Sequence, residues 1–443
     1  TALSGGHERG FAQFAATYLN DAKGTLDMKQ DFRFDADIGS YVTYSEFGAV
    51  GDGKTNDIDA IIKAHEYANA NHLKVKADAG ATYYVGAASS GAIVKTDTDW
   101  TDASFIIDDS NVGPDRRNVW IFTVATTEKP YILAEKPDKL VRSQTNLGIT
   151  LPKRSVVILT DSTTKRYIRE GVNKNNGSDQ TDILIVDTDG SIDMNAPLIW
   201  DYDTVTSVNV IPMDEETLTL TGGTFTTIAN TQPSEGAPYY GRGIKIGRSN
   251  VVVDGLTHYV TGERDHGAPY TGILSINSCA NVTVKNCIFT AHRKYAQGTY
   301  DILPARVVNL TFENCTQTTD ILDTKYWGIM GSNFCKNIIV DGCTFSRFDA
   351  HQGVANVTIR NSTLGHQCLN AIGCGTLTVE DSTLYGNAFI NLRGDYGSTW
   401  EGDVVIKNCT WIPNRGTGAK ANAALIGGSY TGFHDFGYPC YMP

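Results

Sequence analysis

The sequence predicts an all-β solenoid, a parallel β-helix, and three observations carry that prediction. A short phrase recurs down the second half of the chain. It reads NVTVKNCIF from Asn281, NLTFENCT from Asn309, NIIVDGCTF from Asn337, NVTIRNSTL from Asn356, TLTVEDSTL from Thr376 and DVVIKNCTW from Asp403, with a fainter copy, NVVVDGLTH, from Asn250. The starts lie 19 to 31 residues apart, a spacing that marks stacked coils. Each copy alternates apolar and other residues at period two, so each is a strand rather than a helical turn. One such strand cannot bury its face alone; stacked on the next coil, its inward residues join one continuous core.

Residues 1–42 read as a polar leader with a helix near Phe11 to Asp21. Residues 43–126 hold a capping helix and the first coils. In the segment from Tyr44 to Val85, Gly48, Gly51 and Gly53 make turns, and Thr55 or Asn56 caps a helix from Asp57 to Asn69. Its apolar positions Ile58, Ile61, Ile62, Ala64 and Tyr67 follow helical spacing. Residues 127–215 lose the coil phrase. SVVILTD, KRYIREG, TDILIVDTDGSI and APLIWDYDTVTSVNVI read as strands of a β-rich insertion beside the solenoid. Coils resume at TLTLTGGTFTTI, and residues 216–443 form the main β-helix.

FGAVGDGKTND, followed by an AI-rich helix and a strand leading to GATYYV, resembles the entry segment of the pectate-lyase-like superfamily. The resemblance implies a right-handed parallel β-helix whose helix plugs the open N-terminal end. The physics agrees, because an uncovered end exposes apolar core and unpaired strand edges. The superfamily includes lyases, glycosidases, epimerases and phage tailspikes, so the resemblance specifies fold more sharply than activity.

The net charge of −12 argues against a general nucleic-acid binder. From residue 250 onward there are 13 Lys and Arg against 15 Asp and Glu, so nearly all the excess acid lies earlier. The repeat half therefore has room for a locally basic cleft. No stretch reaches the length of an apolar membrane span, and no signal peptide is visible; the expected location is secreted or periplasmic, with the leader removed. All nine Cys lie between Cys279 and Cys440. Cys287, Cys315, Cys343 and Cys409 take one place in the phrase, and Ser362 and Ser382 take it in two other copies. That predicts a ladder of small inward side chains. The absence of a CxxC pair speaks against structural zinc, and the odd count and coil spacing against a disulfide framework.

Each strand phrase is followed by a longer stretch, and these stretches should stack as loops along one side. Loops on a rigid scaffold are where catalytic groups concentrate. These carry His292, Arg293, Lys294, Tyr295, Asp323, Lys325, Tyr326, Arg347, Asp349, His351, His366, Asn370, Arg393 and Asp395, with Arg264 and His266 on the earlier turn GERDHGAPY. Tyr326, Trp327, Tyr396 and Trp400 interleave aromatic rings. Rings stack on sugar faces, and Arg forks bind carboxylate or sulfate. The expected partner is an acidic polysaccharide of the glycosaminoglycan kind, such as chondroitin or dermatan.

Two chemistries compete. β-Elimination from a uronic acid needs a cation to neutralise the carboxylate, a base for the C5 proton and an acid for the leaving oxygen. His292, Lys294 or His351 can serve as base, Tyr295 as acid, and Arg293 or Arg393 as neutraliser. Arg264, His266, Asp323, Lys325, Tyr326, Arg347, Asp349, His366, Asn370, Asp395 and Trp400 are then substrate contacts. Hydrolysis needs a carboxylate pair, for which Asp323, Asp349 and Asp395 are the candidates. The polygalacturonase pattern of NTD, DD and GHG is absent, Gly365-His366-Gln367 being its nearest fragment, and the calcium-dependent pectate lyase signature is absent too. A non-catalytic carbohydrate-binding protein or tailspike is the third reading. No cofactor is firmly implied; Ca2+ remains compatible with the loop carboxylates, without an EF-hand pattern. The sequence leaves the oligomeric state open.

Overall fold

The recurring phrase builds one face of a three-faced parallel β-helix. In the computed structural model the structure describes residues 40–169, 177–232, 238–295, 298–328, 331–396, 398–413, 423–428 and 434–435. The helix expected near Phe11 to Asp21 lies outside the described residues. Leu218, Val251, Val282, Leu310, Ile338, Val357, Leu377 and Val404 stand in register on successive coils. The second face begins with Thr82–Val85, Ser104–Asp108, Thr224–Ile228 and Thr257–Thr261. The third begins with Ala92–Val94, Phe122–Ala125 and Ile244–Gly247.

The phrase opens on Asn for a conformational reason. Asn250, Asn281, Asn309, Asn337 and Asn356 all have φ between 56° and 59°, a left-handed turn that Asn tolerates better than other side chains bearing a Cβ. Their amides also stack. Asn281 donates to Asn250 at 2.9 Å, Asn309 to Asn281 at 2.9 Å, Asn337 to Asn309 at 2.9 Å and Asn356 to Asn337 at 3.1 Å. The Cys/Ser rungs work likewise. The Cys343 N–H donates to Ser362 Oγ at 3.0 Å and the Ser362 N–H to Ser382 Oγ at 3.1 Å. Each thiol or hydroxyl returns its own hydrogen to a carbonyl two residues back, as Cys287 does to Lys285 and Ser362 to Arg360. Either side chain therefore fits. The eight described cysteines are free thiols.

The capping helix α1 runs Ile58–Asn71 and buries Ile58, Ala60, Ile61, Ala64, His65 and Ala68. Full burial of a side chain like Ile61 contributes about 1.5–3 kcal/mol. Its cap differs from the expectation of Thr55 or Asn56. Asp57 takes the N-cap position without a side-chain cap bond. Its carboxylate instead accepts the Val50 and Gly51 N–H groups at 2.7 and 3.2 Å, tying the preceding turn to the helix start. Beneath the helix, Tyr44, Trp100, Phe105, Phe122 and Phe225 fill the first coils, and Trp100 and His65 both bond the Tyr44 hydroxyl. Burial pushes the His65 imidazole down to about 3, so it is a neutral core residue.

Ser155–Arg166, Ser178–Val186, Ser207–Pro212 and Tyr131–Ile132 form a separate four-stranded antiparallel sheet. Val156, Ile158, Ile183 and Ile185 pack against Ala280 and Val308 of the solenoid. The buried Lys336 ammonium, 2.6 Å from Asp182 and from the Pro197 carbonyl, ties the two together. Among the described residues no helix is long and apolar enough to cross a membrane.

Two stretches expected as loops are strand. Thr344–Arg360 and Thr363–Glu380 run on through the segments SRFDAHQG and GHQCLNAIG. They pair with each other and turn their corners at register shifts between Phe345 and Arg347 and between Ala350 and Val354. Bulges bend a strand without ending its pairing, so these polar residues sit on the scaffold itself.

Candidate functional site

On the third face Asp349, Asn370 and Asn391 are in register on three successive coils. Phe348 and Ala350 are core residues, so the Asp349 carboxylate leaves the backbone on the other side. It is nevertheless fully buried, because two guanidiniums close over it. Arg347 Nη2 and Arg393 Nη1 both bind Oδ2, the latter at 2.8 Å. Arg347 also lies over the Trp327 ring at 5.1 Å and Arg393 over the Tyr396 ring at 5.7 Å. Two guanidiniums thus converge on one carboxylate, each stacked on an aromatic ring that holds it in place. Gly328 permits the close approach: a Cβ there would lie 2.6 Å from Arg347 Cβ and Cδ.

His366 is half-buried next to this cluster, and its backbone N–H donates to the Ile321 carbonyl at 2.9 Å. Burial lowers its imidazole below the usual range; the Tyr326 backbone opposes this, and the Lys294 and Arg347 charges reinforce it. Its Nε2 is shielded from solvent and has no hydrogen-bond partner among the described residues. Asp323, half-buried, spends Oδ1 on the Lys325 N–H at 2.9 Å. Lys294 and Lys325 are exposed, and the Lys294 N–H bonds the Lys325 carbonyl at 2.8 Å. Lys294, Asp323, Tyr326, Arg347, Asp349, His366, Asn370 and Arg393 thus share one neighbourhood.

His351 stands to one side. Its Nδ1 is 2.7 Å from Asn333 Oδ1, and its ring meets Tyr396 edge-on. Asn370 accepts the Asn391 amide at 2.6 Å and donates to the Gln367 carbonyl at 2.8 Å.

His292 does not fit the role of base. It is buried, with Nδ1 2.8 Å from Glu263 Oε1 and Nε2 3.5 Å from Asp301 Oδ1. Burial disfavours its charge, but the two carboxylates outweigh burial and push the imidazole up to about 10. An imidazolium holds no free lone pair. Asp349 does not fit the role of hydrolytic carboxylate, since both guanidiniums occupy it. Arg293 pairs with the exposed Asp265 at 2.6 Å, away from Asp349. Tyr295 is half-buried, and burial together with Glu263 raises its phenol. Arg264 and His266 are exposed on their turn. Trp400 packs on the core and donates its indole N–H to the Gly375 carbonyl at 2.9 Å, so it is a packing residue rather than a sugar platform. The Asp395 side chain lies outside the described residues. No three described His, Cys, Asp or Glu side chains converge as a metal ion needs.

Sequence reasoning passed over Glu263, Asp301, His258 and Asn391. One signal was present. His258 aligns with Phe225 on the coil before it, and the adjacent pairing of Thr257 with Ile288 puts it in line with Phe289. A His at an inward Phe position marks a buried polar group.

No protein-family model matches the chain. Among curated proteins, a Klebsiella phage P510 protein described as a capsule KL64-specific depolymerase is 26% identical over 165 residues. That match takes in 32% of this chain and 15% of the depolymerase. Among solved structures, the Pseudomonas phage phi297 tailspike gp61 is 13% identical, with a TM-score of 0.49 over 90% of this chain and 81% of that one. The gp54 tailspike of Acinetobacter baumannii phage AP22 is 10% identical, with a TM-score of 0.38 over 84% of this chain and 72% of that one. At these scores the structural likenesses add nothing to the fold described above.

Proposed function

We propose that this protein depolymerises an anionic polysaccharide by β-elimination on the cationic face around Arg347 and Arg393. The observation that carries this reading is the Arg347–Asp349–Arg393 cluster on Trp327 and Tyr396. The partial match to a capsule depolymerase supports a polysaccharide substrate, and the entry segment's likeness to the pectate-lyase-like superfamily fits the same class. A sugar carboxylate bound at the guanidiniums would have its charge neutralised, which acidifies the neighbouring C–H. His366 is then the base. Burial keeps its imidazole in the neutral form that can take a proton, and Nε2 has no partner to displace. The turn around Ile321 to Tyr326 lies against this ring, so it must shift to admit the sugar. The Tyr326 hydroxyl is the candidate donor to the leaving oxygen. The electrons of the C–H bond form the new double bond as the C–O bond breaks, and no water is consumed.

The test is incubation with uronate-containing capsular and glycosaminoglycan polysaccharides and with neutral glucans. The expected result is ultraviolet absorbance of an unsaturated uronate from an anionic member, lost in His366→Ala. New reducing ends without absorbance would move the chemistry to hydrolysis, with Asp323 the remaining described candidate. Binding without cleavage would make the protein a receptor.

A further inference from the structure

The solenoid holds a second charged group that the elimination does not use. Thr227 Oγ1 is 2.9 Å from His258 Nε2, and His258 Nδ1 is 2.7 Å from Asp301 Oδ1. Asp301 also accepts the Thr290 N–H at 2.9 Å and faces His292, which in turn meets Glu263. His258, His292 and Asp301 are essentially inaccessible to solvent. Burying charges is costly even when they are paired, and neighbouring coils fill the His258 position with Phe225 and Phe289. Packing alone does not call for this arrangement.

Its outer end is attached to the proposed site. Glu263 Oε2 accepts the Arg293 N–H at 3.0 Å. The His292 carbonyl accepts the Trp327 backbone N–H at 2.8 Å, and the Lys294 backbone N–H donates to the Lys325 carbonyl. His292 and its neighbours therefore carry Lys294 on one strand of a small arm and Trp327, the platform beneath Arg347, on the other. Tyr270 stacks on the His292 ring at 4.9 Å and 13°, which fixes the ring plane.

We infer that Glu263, His292, Asp301 and His258 are positioning residues: a charged strut that sets the Arg293–Lys294 and Lys325–Trp327 arm against the saccharide face. The inference rests on the saccharide reading of the Arg347–Arg393 cluster. The strut works while His292 is an imidazolium, since only then does its positive charge face both carboxylates, Glu263 at 2.8 Å and Asp301 at 3.5 Å. The groups facing it are Glu263, Asp301 and Tyr270 directly, His258 through Asp301, and Tyr295, Arg293 and Asp265 around Glu263.

The experiment compares the wild-type chain with Glu263→Gln, Asp301→Asn and the conservative Glu263→Asp, by hydrogen exchange and by steady-state kinetics on the cleaved polysaccharide. In Glu263→Gln the amides of Lys294 and Trp327 should exchange at least tenfold faster, while those of the Asn309 to Glu313 strand stay unchanged. kcat/KM should fall on the order of 100-fold, the cost of a small misplacement of a binding group, and Glu263→Asp should recover part of it. Wild-type protection of the arm should fade as pH climbs toward 10. Unchanged exchange in both Glu263→Gln and Asp301→Asn would overturn the strut whatever the activity. Faster exchange with unchanged kcat/KM would overturn its link to the saccharide. If wild type cleaves nothing, the functional reading fails, and the exchange result still decides the strut. If Asp301→Asn does not fold, Glu263→Gln, nearer the surface, carries the test.

Discussion

Two buried carboxylates, Asp301 and Asp349, lie in neighbouring parts of the same solenoid and are treated in opposite ways. Asp301 sits between two imidazoles, His258 and His292. Asp349 sits between two guanidiniums, Arg347 and Arg393. The carboxylates around His292 push its imidazole up to about 10, so it gives up its charge only in alkali, whereas a guanidinium does not give it up at all. The first cluster therefore keeps its charge up to alkaline pH, and the second, equally buried, keeps it at every pH. The difference is one of permanence: the guanidinium pair holds its charge at every pH, and the His292 imidazolium holds it only below about 10.

The comparison breaks most visibly if Asp349 is removed. Asp349→Ala leaves Arg347 and Arg393 close together without their shared carboxylate, and breaking a buried ion pair in this way costs about 3–5 kcal/mol. A drop of that size in urea-unfolding free energy is expected; a loss below about 1 kcal/mol would mean that water already screens the cluster.

A pH series sharpens the contrast. The folded-state value of His292, about 10, stands above the ordinary 6.5. Its contribution to stability is thus fully present below pH 6.5 and is lost as pH rises through about 10. Unfolding free energy should fall across that window in wild type. His292→Gln should flatten the slope, and Arg347→Lys should leave it intact. A slope that survives His292→Gln would assign it to other groups.

A smaller effect separates packing from charge. Gly328→Ala forces the Arg347 side chain off its position, and overpacking of this kind costs about 1–3 kcal/mol. Saccharide affinity should weaken severalfold with little change in the pH slope, as read by binding titration. The least effect is expected away from both clusters. Cys343→Ser keeps one donor and one acceptor at its rung, as Ser362 does on the next coil. A change of about 1 kcal/mol or less is expected, measured by thermal unfolding.

The fold was legible because its information is local and repeated. The Asn at the head of each phrase, the period-two strand and the Cys or Ser rung each answer to a backbone need that recurs on every coil. The site was only partly legible. Arg347, Asp349, His366 and Arg393 could be picked out as polar residues in the stretches between phrases. Their partnership was hidden, because it depends on bulges in Thr344–Arg360 and Thr363–Glu380 that set which side chains share a neighbourhood. His292 was visible as a histidine, but its charge state is written in Glu263 and Asp301, from other parts of the coil path. Trp400 shows the converse error: composition suggested a sugar platform, and register puts it against the core.

The most direct measurement is digestion of a susceptible anionic polysaccharide in water enriched in heavy oxygen, followed by mass spectrometry of the fragments. Elimination adds no water, so the account predicts unsaturated ends without label. Saturated fragments carrying one heavy oxygen each would show hydrolysis and contradict it.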